Sequence, residues 1–232
     1  MRQPVQMRGR DMEHSERKDV QIRATEIASS INALPQRNTP NVRALRRNFS
    51  KRLAGADPDF ILALAHELID RHELRWVAYE LVADHKAAYQ SLDEAKLEAL
   101  GHGINSWYTV DSFARVLSGP AWRDGLISAD VIQRWSRSPD RWWRRAALVS
   151  TVALNVRSHG GYGDALRTLS VCRLLVADHD DMVVKALSWA LRELVPHDAQ
   201  AVRAFLEEHD AVLAARVKRE VRNKLQTGLK NP

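Results

Sequence analysis

Three helical segments of this chain carry a carboxylate, tryptophans and clustered arginines at spacings that could do chemistry. In Ser106–Gly119 (SWYTVDSFARVLSG), Trp107 and Asp111 are i,i+4 neighbours on one helix face. Val110, Phe113, Ala114 and Leu117 form the apolar stripe, Trp107 lies at its edge, and Asp111 falls beyond it with its carboxylate facing outward. In Arg141–Val152 (RWWRRAALVSTV), Trp142 and Trp143 cannot both face a core, and one of Arg144 and Arg145 should project from the helix. In Asp181–Leu194 (DMVVKALSWALREL), Val183, Leu187, Ala190, Leu191 and Leu194 form one stripe, and Trp189 points away from it between Lys185 and Arg192. A large aromatic flanked by cations suits a surface that meets an anion with flat groups behind it, as in a nucleic acid. The bland alternatives stand beside that reading. Trp189 could fill an interface between stacked helices with the basic stems lying along its ring, and a lone W-x-x-x-D pair is common by chance.

The surrounding composition favours an anionic partner. The 232 residues carry 35 Lys+Arg against 29 Asp+Glu, a net charge of +6, with a pI near 9.7. The excess is local: 12 Lys/Arg against 5 Asp/Glu in residues 1–56, 6 against 1 in residues 216–232, and five arginines against one aspartate in Arg134–Arg145. Clustered arginine interleaved with tryptophan points to nucleic acid more than net charge does, although a single cluster is often only a solvated face. The best phosphate contacts near the tryptophans are Arg144, Arg145, Lys185 and Arg192, with Arg216, Lys218, Arg219, Arg222 and Lys224 further along on the last helix. One cysteine, Cys172, excludes an internal disulfide, and no C-x-x-C or H-E-x-x-H spacing suggests a metal. No metal or other cofactor is therefore expected. No apolar run approaches a membrane span, and the N-terminus has no apolar core of a secretory signal. A cytoplasmic location follows as an expectation, beside the nucleoid if the source is bacterial.

The elements that must position these residues read as helix after helix. Alternating β-type runs are absent, and breaks fall at polar or Pro/Gly clusters such as Gly55–Pro58, Ser118–Pro120, Ser138–Pro139 and Ser158–Gly163. Asp57-Pro58 and Ser138-Pro139 each place a cap residue before a proline at the first helical position. Helices pair as 58–70 with 73–84, 126–137 with 140–156 and 162–176 with 180–195, a spacing typical of degenerate helical repeats. The expected fold is all-α, a HEAT-like helical-repeat solenoid with a concave basic face, with a compact α bundle as the alternative. Residues 1–15 are expected to form a flexible polar N-terminus and residues 16–232 a single repeat domain.

In order, SWYTVDSF, RWWRRAAL and KALSWALREL are similar to segments of the HEAT-like-repeat alkylpurine DNA glycosylases of the AlkD type. The resemblance runs from about Leu34 to the C-terminal basic helix. It implies an enzyme that removes cationic N3- or N7-alkylated purines from duplex DNA by hydrolysing the N-glycosidic bond, engaging the lesion without a deep base-flipping pocket. Residue by residue, it implies that the catalytic aspartate is Asp111, the cleft tryptophans are Trp107 and Trp189, and the DNA-contacting arginine is Arg145. The family also tends to present an aromatic from an N-terminal helix. Residues 20–40 hold no Phe, Tyr or Trp, and Ile27 lies roughly at that place. A monomer suits a solenoid that wraps a duplex. Two other functions share these features: a catalytically silent DNA-binding or damage-sensing repeat protein, and a protein-interaction scaffold whose tryptophans anchor an interface.

Overall fold

The computed structural model describes the backbone from residue 5 and side chains from residue 15, through to Pro232. The flexible lead-in expected over residues 1–15 lies, except for Ser15, outside the fully described residues. Among the described residues the secondary structure is helical and no strand occurs. No helix among them is long and apolar enough to cross a membrane. The chain divides into two compact units, Met1–Leu92 and Asp93–Pro232.

The first unit contains α1 (Val5–Asn32), α2 (Thr39–Arg52), α3 (Pro58–Asp70), α4 (Arg75–Asp84) and α5 (Lys86–Gln90). The Asp57 cap forms as its sequence predicts, its side chain accepting from the Asp59 N–H at 2.8 Å with Pro58 opening α3. Helices α3 and α4, one of the expected pairs, pack on each other, and α1 packs on α3. Ile27 is only 1 % exposed. It belongs to the core of this unit. Buried Arg46 joins α2 to α4 by ion pairs with Glu80, at 3.1 Å, and with Asp84.

The second unit holds α6 (Glu94–Gly101), α7 (Trp107–Phe113), α8 (Gly119–Arg123), α9 (Ala129–Ser136), α10 (Arg141–Asn155), α11 (Ala165–Leu174), α12 (Asp181–Leu194), α13 (Ala199–Glu208) and α14 (Ala215–Thr227). The pairs α9/α10 and α11/α12 pack together as expected. Helix α10 is the hub, touching α7, α8, α9, α11 and α12. Every residue from Arg145 to Asn155 is buried, so this helix is enclosed on all sides from its second turn onward. Its N-cap is Asp140, accepting from the Trp142 N–H at 2.8 Å, rather than the expected Ser138; the Ser138 hydroxyl instead accepts from the Asp140 N–H at 3.2 Å.

Ser118–Pro120, expected as a break, is not one. A π-helical turn, Ala114–Ser118, carries α7 into α8 without leaving the helix. Pro120 has no N–H to donate, so an α-helical ladder would be interrupted there. The wider register absorbs the defect, with the Gly119 N–H reaching back to the Ala114 carbonyl. Gly119 also lets this turn approach α10 closely. A Cβ there would lie 2.6 Å from Ala153 Cβ and 2.7 Å from the Ser150 carbonyl oxygen. The Ser118 and Ser150 hydroxyls bond across the same contact at 2.8 Å. Cys172 on α11 is fully buried, as its apolar run suggests, and burial pushes its thiol far above the ordinary range.

Candidate active site

The start of α7 is fixed by reciprocal bonds. The Ser106 hydroxyl accepts from the Thr109 N–H at 3.3 Å, and the Thr109 hydroxyl accepts from the Ser106 N–H at 3.2 Å. This presents Trp107 and Tyr108 to solvent, 57 % and 50 % exposed, with their rings edge to face at 6.1 Å. One turn on, Asp111 does not face outward as expected. Its side chain is 17 % exposed and turned toward α10. Arg145 donates from Nε to Oδ1 and from Nη2 to Oδ2, both at 2.8 Å. The third nitrogen, Nη1, donates to the Met182 carbonyl on α12 at 2.6 Å.

This fork fixes the carboxylate plane and leaves each oxygen one lone-pair direction for another donor. Burial pushes Asp111 above the ordinary aspartate range, while the Arg145 hydrogen bonds and charge, and then the charge of Arg115, pull it down. The bidentate guanidinium partner favours the ionised carboxylate against that burial. Arg145 itself is 5 % exposed. The residue expected on DNA phosphate is thus enclosed, with all three of its nitrogens engaged inside the protein.

The α12 stripe is buried as predicted: Val183, Leu187, Ala190, Leu191 and Leu194 all lie in the core. Trp189 is half-buried on another face, its indole N–H donating to Glu193 at 2.9 Å. The cation at its ring is neither of the two neighbours expected from helical spacing. Lys185 pairs with Asp181 at 2.6 Å, and Arg192 donates to the Ser188 hydroxyl at 3.3 Å and faces Glu220 at 3.9 Å. Arg115, from the π turn, instead places its guanidinium carbon 5.7 Å from the centre of the Trp189 ring. Because Arg115 also acts on the charge of Asp111, it links the carboxylate to the indole. Trp107, Asp111 and Arg115 thus come from one helix and its π turn, Arg145 from α10 and Trp189 from α12.

The other expected DNA contacts are mostly committed within the protein. Arg144 is half-buried, donating to Asp178 at 2.7 Å and to the carbonyls of Ser138 and Pro139 at 3.0 and 2.9 Å. On α14, Arg216 pairs with Asp181, Lys218 and Arg222 pair with Asp210, and Lys224 donates to the Gly228 carbonyl. Arg219 is exposed and, among the described residues, makes no ion pair. The two adjacent tryptophans divide as expected. Trp143 packs against Trp135 and Phe113 at 4.9 and 5.9 Å, while Trp142 carries Arg141 on its ring at 4.9 Å. A cleft of about 680 Å³ near that aromatic cluster is lined by Glu98, His102, Arg134, Trp135 and Trp143, and Asp111 and Trp189 are not in its wall. Arg115 and Tyr108 were not singled out from sequence. The signal for Arg115 was available, since residues 107, 111 and 115 repeat at i, i+4 and i+8.

The profile of the DNA alkylation repair enzyme family matches residues 37–225, a span that includes every residue of this cluster. The chain belongs to that family. Membership points to the repair of alkylated DNA. No curated protein matches the chain, and no solved structure does.

Proposed function

We propose that this DNA alkylation repair family member is a monofunctional DNA glycosylase. It would hydrolyse the N-glycosidic bond of cationic N3- or N7-alkylated purines in duplex DNA, acting as a monomer and without a cofactor. The observation that carries the reading is the fork from Arg145 to Asp111. It holds a half-buried carboxylate rigidly beside exposed Trp107 and within the charge field that reaches Trp189. Preorganised charge of this kind is usually the largest single contribution to catalysis where charge develops in the transition state.

The chemistry needs little more. An alkylated purine already bears a positive charge, so its departure with the bonding electron pair neutralises the ring and calls for no general acid. As the C1′–N bond stretches, positive charge builds on the deoxyribose. Asp111 would stabilise that oxocarbenium-like centre and accept a hydrogen bond from the attacking water. The water oxygen bonds to C1′, and its proton passes to the carboxylate or to solvent. Trp107 and Trp189 would hold the sugar, their electron-rich faces favouring a cation. One carboxylate can then do what glycoside hydrolases divide between two. The second part of the proposal is architectural: the helix pairs stack as a HEAT-like solenoid whose basic concave face receives the duplex.

The test is base release from alkylated duplex DNA by the wild type and Asp111→Asn. The expected loss in the variant is on the order of 10²–10³-fold, as for removal of one key electrostatic group, with duplex binding nearly unchanged. Release at the wild-type rate would remove Asp111 from the mechanism. Absence of release from both proteins, with binding intact, would favour a silent DNA-binding protein.

A further inference from the structure

The segment between α10 and α11, residues 156–163 (VRSHGGYG), contains no carboxylate. It presents Arg157, His159 and Tyr162 to solvent, Tyr162 being 63 % exposed. The segment is firmly built. The Tyr162 and Gly163 N–H groups both donate to the Leu154 carbonyl at 3.0 Å, and Arg123 donates to the His159 carbonyl at 2.5 Å. A Cβ on Gly161 would lie 2.6 Å from the Val156 nitrogen, and one on Gly163, whose φ is 90°, would lie 2.5 Å from the His197 ring. Glycine lets this loop close down on its surroundings. The loop is joined to the candidate active site by Arg115, which lies 3.4 Å from the His159 ring nitrogen and on the face of Trp189.

Charge balance separates this patch from the cations next to it. Arg144, Lys185 and Arg192 each face a carboxylate. Arg115 and Arg157 are exposed and, among the described residues, neither forms an ion pair. Two exposed guanidiniums that form no ion pair among the described residues, one of them on a loop that itself carries no carboxylate, fit an anion with repeated charges. We propose that Arg115 and the 156–163 loop form a phosphate-binding ledge for a DNA strand, with Arg115 and Arg157 contacting successive regions of its backbone. In the free protein Arg115 rests on the Trp189 ring. When the sugar of the bound strand takes that ring face, Arg115 turns to a phosphate. The proposal rests on DNA being the substrate, but not on base release.

The experiment is binding of an unmodified duplex over a series of salt concentrations, for the wild type and for the Arg115→Gln/Arg157→Gln double variant. Both side chains are exposed, and thermal melting of each protein controls for folding. Each lost phosphate contact should reduce the steepness of log K against log salt by about one, so the double variant should be shallower by about two. Its affinity should fall by about tenfold or more at low salt, and either single variant should show about half the slope change. The corresponding double lysine variant keeps both charges and should restore the slope. A glutamine double variant with wild-type affinity and slope would overturn the ledge, even with base release intact. A changed slope in a protein that releases no base would leave the ledge standing and remove the glycosylase. A wild type that does not bind duplex would overturn both.

Discussion

Asp111 can stabilise a positive centre only as an anion, and its surroundings decide where on the pH scale that holds. Burial raises its pKa above that of a free aspartate, and Arg145 limits the rise. Base release should therefore climb with pH through an acid limb that lies above the ordinary aspartate value and level off once the carboxylate is fully ionised. Asp111→Asn should abolish that limb along with most of the rate. Arg145→Lys gives a sharper test of positioning. A lysine keeps a positive charge but cannot bridge both carboxylate oxygens and the Met182 carbonyl. Release should fall by about 10- to 100-fold, the scale of a misplaced catalytic group. The acid limb should also move upward, because the hydrogen bonds that restrain the Asp111 pKa are weakened. A rate loss with the limb unmoved would mean that Arg145 serves only the fold. At this scale sequence was a partial guide. Asp111, Trp107 and Trp189 stood out by spacing and by resemblance. Helical spacing could not tell Arg144 from Arg145, and although the resemblance put Arg145 on DNA, neither partner could be foreseen, since Asp178 lies in the loop before α12 and Asp111 on α7, each 34 residues away.

The α7–π turn–α8 element decides where Asp111 and Arg115 point. Its register depends on two residues that sequence patterns read as a stop. Gly119 and Pro120 ordinarily end a helix, and nothing local says that a π turn will accommodate them. The signal lies instead in α10, whose Ser150 and Ala153 leave space for a residue without a Cβ. Gly119→Ala should force the π turn away from α10 at a cost of about 1–3 kcal/mol, the usual range for overpacking. The measurement is the thermal midpoint, which should drop by several degrees. Base release should fall as well, because α7 moves with the turn. An unchanged midpoint would show that the contact is looser than its geometry implies. The ordinary elements were far more legible. The α12 stripe, the Asp57 cap and the paired helices all follow from apolar period and cap chemistry. Enclosure of α10 on every side did not, since its first turn, rich in Arg and Trp, reads as a surface.

Across the whole molecule, the surplus of basic residues overstates what is available to DNA. The formal charge is +6, yet Arg144, Arg145, Lys185, Arg192, Arg216 and Arg222 are each matched to a carboxylate. Duplex binding should weaken as salt rises, because each neutralised phosphate releases counterions. The slope of log K against log salt should correspond to a handful of contacts, well short of the 35 lysines and arginines in the chain. Titration of a fluorescent duplex at several salt concentrations measures that slope directly. A slope near zero would argue against a DNA partner.

Cys172 gives the fold one more consequence. Reagents that alkylate purines are electrophiles, and they attack thiolates as readily as bases. A repair protein is needed most when such reagents are abundant, and this chain contains a single sulfhydryl. Enclosed in α11 and held in its protonated form, that sulfhydryl offers almost no thiolate to react. Mass spectrometry after iodoacetamide treatment should find the native protein unlabelled at Cys172 and the unfolded chain labelled fully. Burial thus keeps the thiol of this repair protein out of reach of the electrophiles that alkylate DNA.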